Sequence, residues 1–133
     1  MARTVPTRAL WFVREVRGET WRVYLSDPGS AKRADAPGDD EIIEGRTLLA
    51  GCCLYDTREI LISADEPAST WRATLIHELT HAAARYLDER TVRAVERHVA
   101  PALGAHFRPP RLPPEAVRLA RRVRARQRRE EHE

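Results

Sequence analysis

Apolar and polar residues alternate along Thr20-Trp21-Arg22-Val23-Tyr24-Leu25. A period of two in β-branched and aromatic residues predicts a strand. The preceding Leu10-Trp11-Phe12-Val13 is compatible with a strand or a short helix. Residues 26–44 are rich in Gly, Pro and Asp and read as a mobile loop. Two further apolar runs, Leu48 to Tyr55 and Ile60 to Ile62, bracket Asp56-Thr57-Arg58-Glu59 and predict a β-hairpin. The period then changes. Between Pro67 and Leu87, apolar Trp71, Leu75, Leu79, Ala83 and Tyr86 recur at helical spacing. Asp88 is placed to cap a second helix carrying Val92, Val95, Val99 and Leu103, which Gly104 and Pro109-Pro110 bring to an end. A third helix, Glu115 to Arg129, sets Val117, Ala120 and Val123 among arginines. The pattern predicts an α+β fold, with a small, mainly antiparallel sheet packed against two antiparallel helices.

The 133 residues suit one domain with a core of moderate size. No stretch approaches the ~18 consecutive apolar residues of a membrane-spanning helix, which argues against an integral membrane protein. The N-terminus shows no apolar segment followed by a small-residue cleavage site. Cys52 and Cys53 are sequence neighbours, a spacing that makes a disulfide strained. Both features predict reduced thiols in a cytoplasmic protein. The charge is divided along the chain. Residues 1–107 carry 14 basic and 16 acidic side chains, whereas residues 108–133 carry nine arginines and four glutamates. The expected organisation is a domain over 1–107 followed by a basic C-terminal helix or tail.

The chemistry concentrates in His77-Glu78-Leu79-Thr80-His81. Residues i and i+4 of a helix lie one above the other, so both imidazoles reach a single ion. Zinc is the expected metal. Glu78, beside the first ligand, is placed to accept a proton from a water that the ion has acidified. A catalytic zinc site wants a third protein ligand, and the next helix offers Glu89 and Glu96. The middle of the histidine pair lies about as far before the turn at Leu87-Asp88 as Glu96 lies after it. Glu96 also falls on the stripe of Val92, Val99 and Leu103, where a carboxylate is costly unless paired or metal-bound. The helix dipole alone accounts for Glu89 in the first turn. The spacing therefore favours His77, His81 and Glu96 as ligands.

Gly51-Cys52-Cys53-Leu54-Tyr55 through Ile62, followed by Thr74 to Ala82, resembles the small zincin-like metallopeptidase-fold proteins of phages and prophages. These are similar in plan to ImmA/IrrE-type and SprT-like domains. In that group a hairpin with a Gly-x-x-x-Tyr start precedes the HExxH helix, and a Glu-x-x-Val on the next helix supplies the third ligand. Glu96-Arg97-His98-Val99 matches the last element. The chain departs from SprT-like proteins in lacking a third histidine at an equivalent position. The resemblance covers about residues 47–107 and implies a zinc-dependent peptidase with Glu78 as general base. It also implies an edge strand, Ile60 to Ile62, that aligns a peptide or protein substrate by strand addition.

Other residues have plainer readings. The cysteines are expected to be small buried hydrophobes in place of a thiolate ligand. His98 and His106 are expected to be surface or hairpin histidines, with stabilisation of an oxyanion as the alternative. Tyr86 is expected in the core. Arginines between 115 and 129 are expected on a solvated helix or interaction tail, with contact to nucleic acid as the alternative, since the segment contains no aromatic residue for base stacking. The rival to the peptidase is a non-catalytic zinc-stabilised binding, regulatory or virion-associated protein.

Overall fold

The computed structural model describes residues 7–27 and 50–131. The expected 26–44 loop and the start of the second apolar run therefore lie largely outside the described residues. The fold is α+β, with a four-stranded, mostly antiparallel sheet and three principal helices.

Strands β1 (Arg8–Val16) and β2 (Glu19–Ser26) form a hairpin in which Val16 pairs with Glu19. Its two turn residues, Arg17 and Gly18, both have positive φ (51° and 82°). That conformation matches the twist of paired strands and favours glycine. A register shift between Leu10 and Phe12 leaves Trp11 as an extra residue. Such a bulge bends the strand, and here Trp11 is buried with its Nε1 donating to the Pro110 carbonyl at 2.8 Å.

Strands β3 (Gly51–Leu54) and β4 (Glu59–Ser63) make the predicted second hairpin. The sheet order is β1-β2-β4-β3, with β4 parallel to β2. This corrects the expectation for Ile60 to Ile62, which lie in an interior strand bonded on both sides. Among the described strands, the edges are β1 and β3. Local pattern predicts which segments are strands, whereas their order depends on pairings distant in sequence.

Helix α1 (Trp71–Ala83) follows a 3₁₀ turn, Ala68–Thr70. Helix α2 (Glu89–His98) leads into the short α3 (Ala100–Leu103), and α4 spans Pro114–Glu131. Asp88 caps α2 as expected, accepting from the Thr91 N–H at 2.7 Å. Tyr86, expected in the core, is 83% exposed. The helix stops at Ala83, and the non-helical Ala84 (φ −139°, ψ 76°) takes Tyr86 off the extrapolated stripe.

One core holds the fold together. Trp21, Val23, Leu25, Ile60 and Ile62 share a sheet face and are fully buried. Leu75 of α1 and Leu119 and Val123 of α4 join the same cluster. Burying side chains of this size stabilises by about 1.5–3 kcal/mol each. The C-terminal arginine-rich helix is therefore part of the packed body. Its buried stripe is Ala116, Leu119 and Val123, flanked by the half-buried Val117 and Ala120. Arg126 pairs with Asp27 at 2.9 Å, and Gln127 donates to the Asp65 carbonyl at 2.7 Å.

Candidate metal centre

Two hydrogen bonds along α1 shape the stretch that carries the histidines. Thr74 and Thr80 donate their hydroxyls to the carbonyls four residues back, at Thr70 and Ile76. Such bonds let polar residues stay buried within a helix. Leu75 and Ala82 face the core, which turns His77 and His81 toward α2.

The two imidazoles meet one carboxylate. His81 Nε2 lies 2.8 Å from Glu89 Oε1, and His77 Nε2 lies 3.0 Å from Glu89 Oε2. One ligand atom from each of His77, His81 and Glu89 lies within 4.8 Å of the others. Glu89 is itself held by Arg93, whose Nε donates to Oε2 at 3.0 Å. Glu96 takes a different place. Its Oε1 lies 2.7 Å from His77 Nδ1, on the opposite side of that ring from Glu89. Sequence spacing favoured Glu96 as the third member of the cluster, and the structure puts Glu89 there instead. The bend through residues 84–88 brings the first turn of α2 level with both histidines. Glu96, two turns further along, then reaches the ring from behind.

The three side chains lie near enough to one another to hold a metal ion. Two imidazole nitrogens and a carboxylate are a common combination for a catalytic site. The 2.8 and 3.0 Å separations are those of direct contact between ring nitrogen and carboxylate; with metal bonds of ~2.1 Å the edges of a coordination tetrahedron are about 3.4 Å, so the groups would have to part slightly to admit an ion. His77 has a carboxylate oxygen against each ring nitrogen. A neutral ring has one N–H to donate, so the two contacts call either for a ring protonated at both nitrogens or for a cation between Nε2 and Glu89.

Electrostatics agree with this arrangement. Burial lowers the pKa of His81 against the opposing pull of Glu89, favouring the neutral imidazole that ligates metals. Burial pushes the Glu89 carboxyl up, but the two histidines outweigh it and leave the group below its ordinary value. Glu78 behaves in the opposite way. It is 6% exposed, and burial followed by the charges of Glu89 and Glu96 pushes its pKa up to about 8. A nearby cation would draw it back toward the carboxylate form.

Glu78 faces the edge strand. A Cβ placed on Gly51 would lie 3.3 Å from Glu78 Oε2, 2.8 Å from Thr74 Cγ2 and 2.9 Å from the Leu61 carbonyl oxygen. Position 51 is glycine because β3 runs this close to α1. Four residues on, the Tyr55 hydroxyl reaches the His81 carbonyl at 3.4 Å, and Arg85 lies over the Tyr55 ring at 4.8 Å. The Gly51-x-x-x-Tyr55 spacing thus joins the hairpin to the helix at both ends of the HExxH segment. Cys53 shares this wall. Burial, then the charge of Glu78, pushes its thiol far above the ordinary value, and it does not enter the cluster. Both cysteines are free thiols.

Arg72 is a contributor that sequence reading missed. It donates to the carbonyls of Phe107, Ala100 and Gly104 at 3.0, 3.2 and 2.6 Å. This fastens the segment after α2 to the start of α1, and no short motif announces such a contact. His98 and His106 are exposed and stand outside the cluster, at the end of α2 and in the turn after α3.

Comparison of the chain with family profiles, curated proteins and solved structures gave no match in any of the three.

Proposed function

We propose that this protein is a metal-dependent hydrolase acting on peptide bonds, with zinc held by His77, His81 and Glu89. The observation that carries the reading is the convergence of two imidazole nitrogens on one carboxylate, with the buried Glu78 one residue from the first histidine. A bound zinc would polarise the scissile carbonyl and acidify a water. Glu78 would accept a proton from the attacking water and pass it to the leaving amine. Glu96 holds the His77 ring through Nδ1 and so directs Nε2 toward Glu89. The β3 edge, against which Glu78 lies, offers backbone groups to an extended peptide.

Metal content and hydrolysis test this together. The expected result is one zinc per chain, and a peptide-library digestion that Glu78→Gln abolishes while the metal stays bound. Hydrolysis unchanged in the zinc-loaded Glu78→Gln protein would sink the reading.

A further inference from the structure

The arginines of α4 that face away from the sheet form a surface of their own. Ala116, Leu119 and Val123 fix the side of the helix that meets the core. At about 100° per residue, Arg118, Arg122 and Arg129 fall in one row on the outer side. Arg121 and Arg128 fall in a second row beside it, with Arg124 further round. All six are exposed. At 1.5 Å per residue they cover about 16 Å of helix. The acids of the helix, Glu115, Glu130 and Glu131, stand at its ends. Arg126 lies at the inner edge and is used within the fold, pairing with Asp27 and Asp65. Among the described residues, no carboxylate forms an ion pair with Arg118, Arg121, Arg124, Arg128 or Arg129.

We propose that this face binds the sugar-phosphate backbone of double-stranded nucleic acid without reading sequence. Guanidinium groups present forked donors that match phosphate oxygens, and their rows follow the helix as phosphates follow a strand. A lipid surface fits less well. Membrane-surface helices bury an apolar face in the bilayer, and the apolar face of α4 is already occupied by β1 and β2. Single strands are disfavoured because α4 has no aromatic side chain on which a base can stack. Arginine side chains by themselves recognise guanine at most, and the amide that would read adenine, Gln127, is bonded to Asp65. The surface is independent of the metal centre.

The test is fluorescence anisotropy of the full chain with labelled duplexes of about 20 base pairs, one of DNA and one of RNA, in salt from about 50 to 200 mM. If about four arginines each neutralise a phosphate, affinity falls roughly 10²-fold across that range. The variant Arg118→Gln/Arg129→Gln should lower the salt slope by about two, and Arg121→Gln/Arg128→Gln by about two. Circular dichroism confirms that each is folded, and the two sets stand in for one another if either fails. The proposal is overturned if no duplex binds at low salt or if both variants keep the parent slope. Tighter binding to single strands, or to phosphatidylserine-containing vesicles, also overturns it. Binding to one duplex type alone still supports it and identifies the source of the phosphates.

Discussion

His77 Nδ1 lies 2.7 Å from Glu96 Oε1 while Nε2 of the same ring lies 3.0 Å from Glu89. The two carboxylates come from one helix, seven residues apart, yet they hold opposite edges of one imidazole. Their substitutions should therefore separate. On the proposed reading Glu89→Ala removes a ligand, and zinc should no longer bind at stoichiometric levels. Glu96→Ala removes the group that orients a ligand, and affinity should fall by about 10–100-fold with stoichiometry preserved. Competition with a zinc-chelating dye measures both.

In the metal-free protein, Glu78 holds its proton to about pH 8 where an ordinary glutamate releases it near 4.5. Between those values the folded chain binds a proton that the unfolded chain does not. Stability contributed by the protonated group is thus present at low pH and lost as pH rises through this window. From pH 6.5 to 8, denaturant unfolding of chelator-treated protein should show a loss of about 2 kcal/mol. Glu78→Gln should flatten that dependence.

Gly51→Ala places a methyl group against Thr74 Cγ2 and the Leu61 carbonyl oxygen. Backbone on one side and a core helix on the other leave little room to yield. A loss of about 1–3 kcal/mol is expected from the overpacking, read as a fall in the denaturant midpoint. Gly18, with nothing within 4 Å of an added Cβ, would clash with no neighbour. Its positive φ still makes Ala unfavourable there.

Arg72→Ala should loosen the segment after α2, since three carbonyls lose their donor at once. Amide hydrogen exchange should speed up through residues 100–107 before it does so in the sheet. Methionine at the same position, which keeps the length of the side chain without its donors, should behave like alanine.

Much of the fold was legible because it is local. The Trp21-Val23-Leu25 alternation, the paired runs around Asp56 to Glu59, the HExxH helix and the Asp88 cap each depend on a few adjacent residues. What escaped depends on distance. The order of strands puts Ile60 and Ile62 inside the sheet, and a parallel pairing with β2 leaves no signature in either strand. Tyr86 continued the periodicity past a helix end that no glycine or proline marked. The third partner of the histidines was assigned to Glu96 on the assumption of a tight turn between straight helices. The bend at 84–88 shifted that register. In α4 the expected stripe held at Val123, but Ala116 and Leu119 are buried in place of the neighbouring Val117 and Ala120, and the arginine content concealed how much of the helix belongs to the core.

The burial of Ala116, Leu119 and Val123 against the first hairpin also bears on how the chain assembles. Trp11 bonds to Pro110, 99 positions away, and the apolar floor of β1 and β2 is roofed by the last described helix. During synthesis, the histidine-bearing helix and its hairpin emerge before that roof exists. Contacts this remote in sequence form late and slow the search for the native arrangement. The nascent protein therefore passes through an interval in which the part of its N-terminal hairpin that α4 covers is bare. That is the stage at which self-association, or capture by a chaperone, is most readily met.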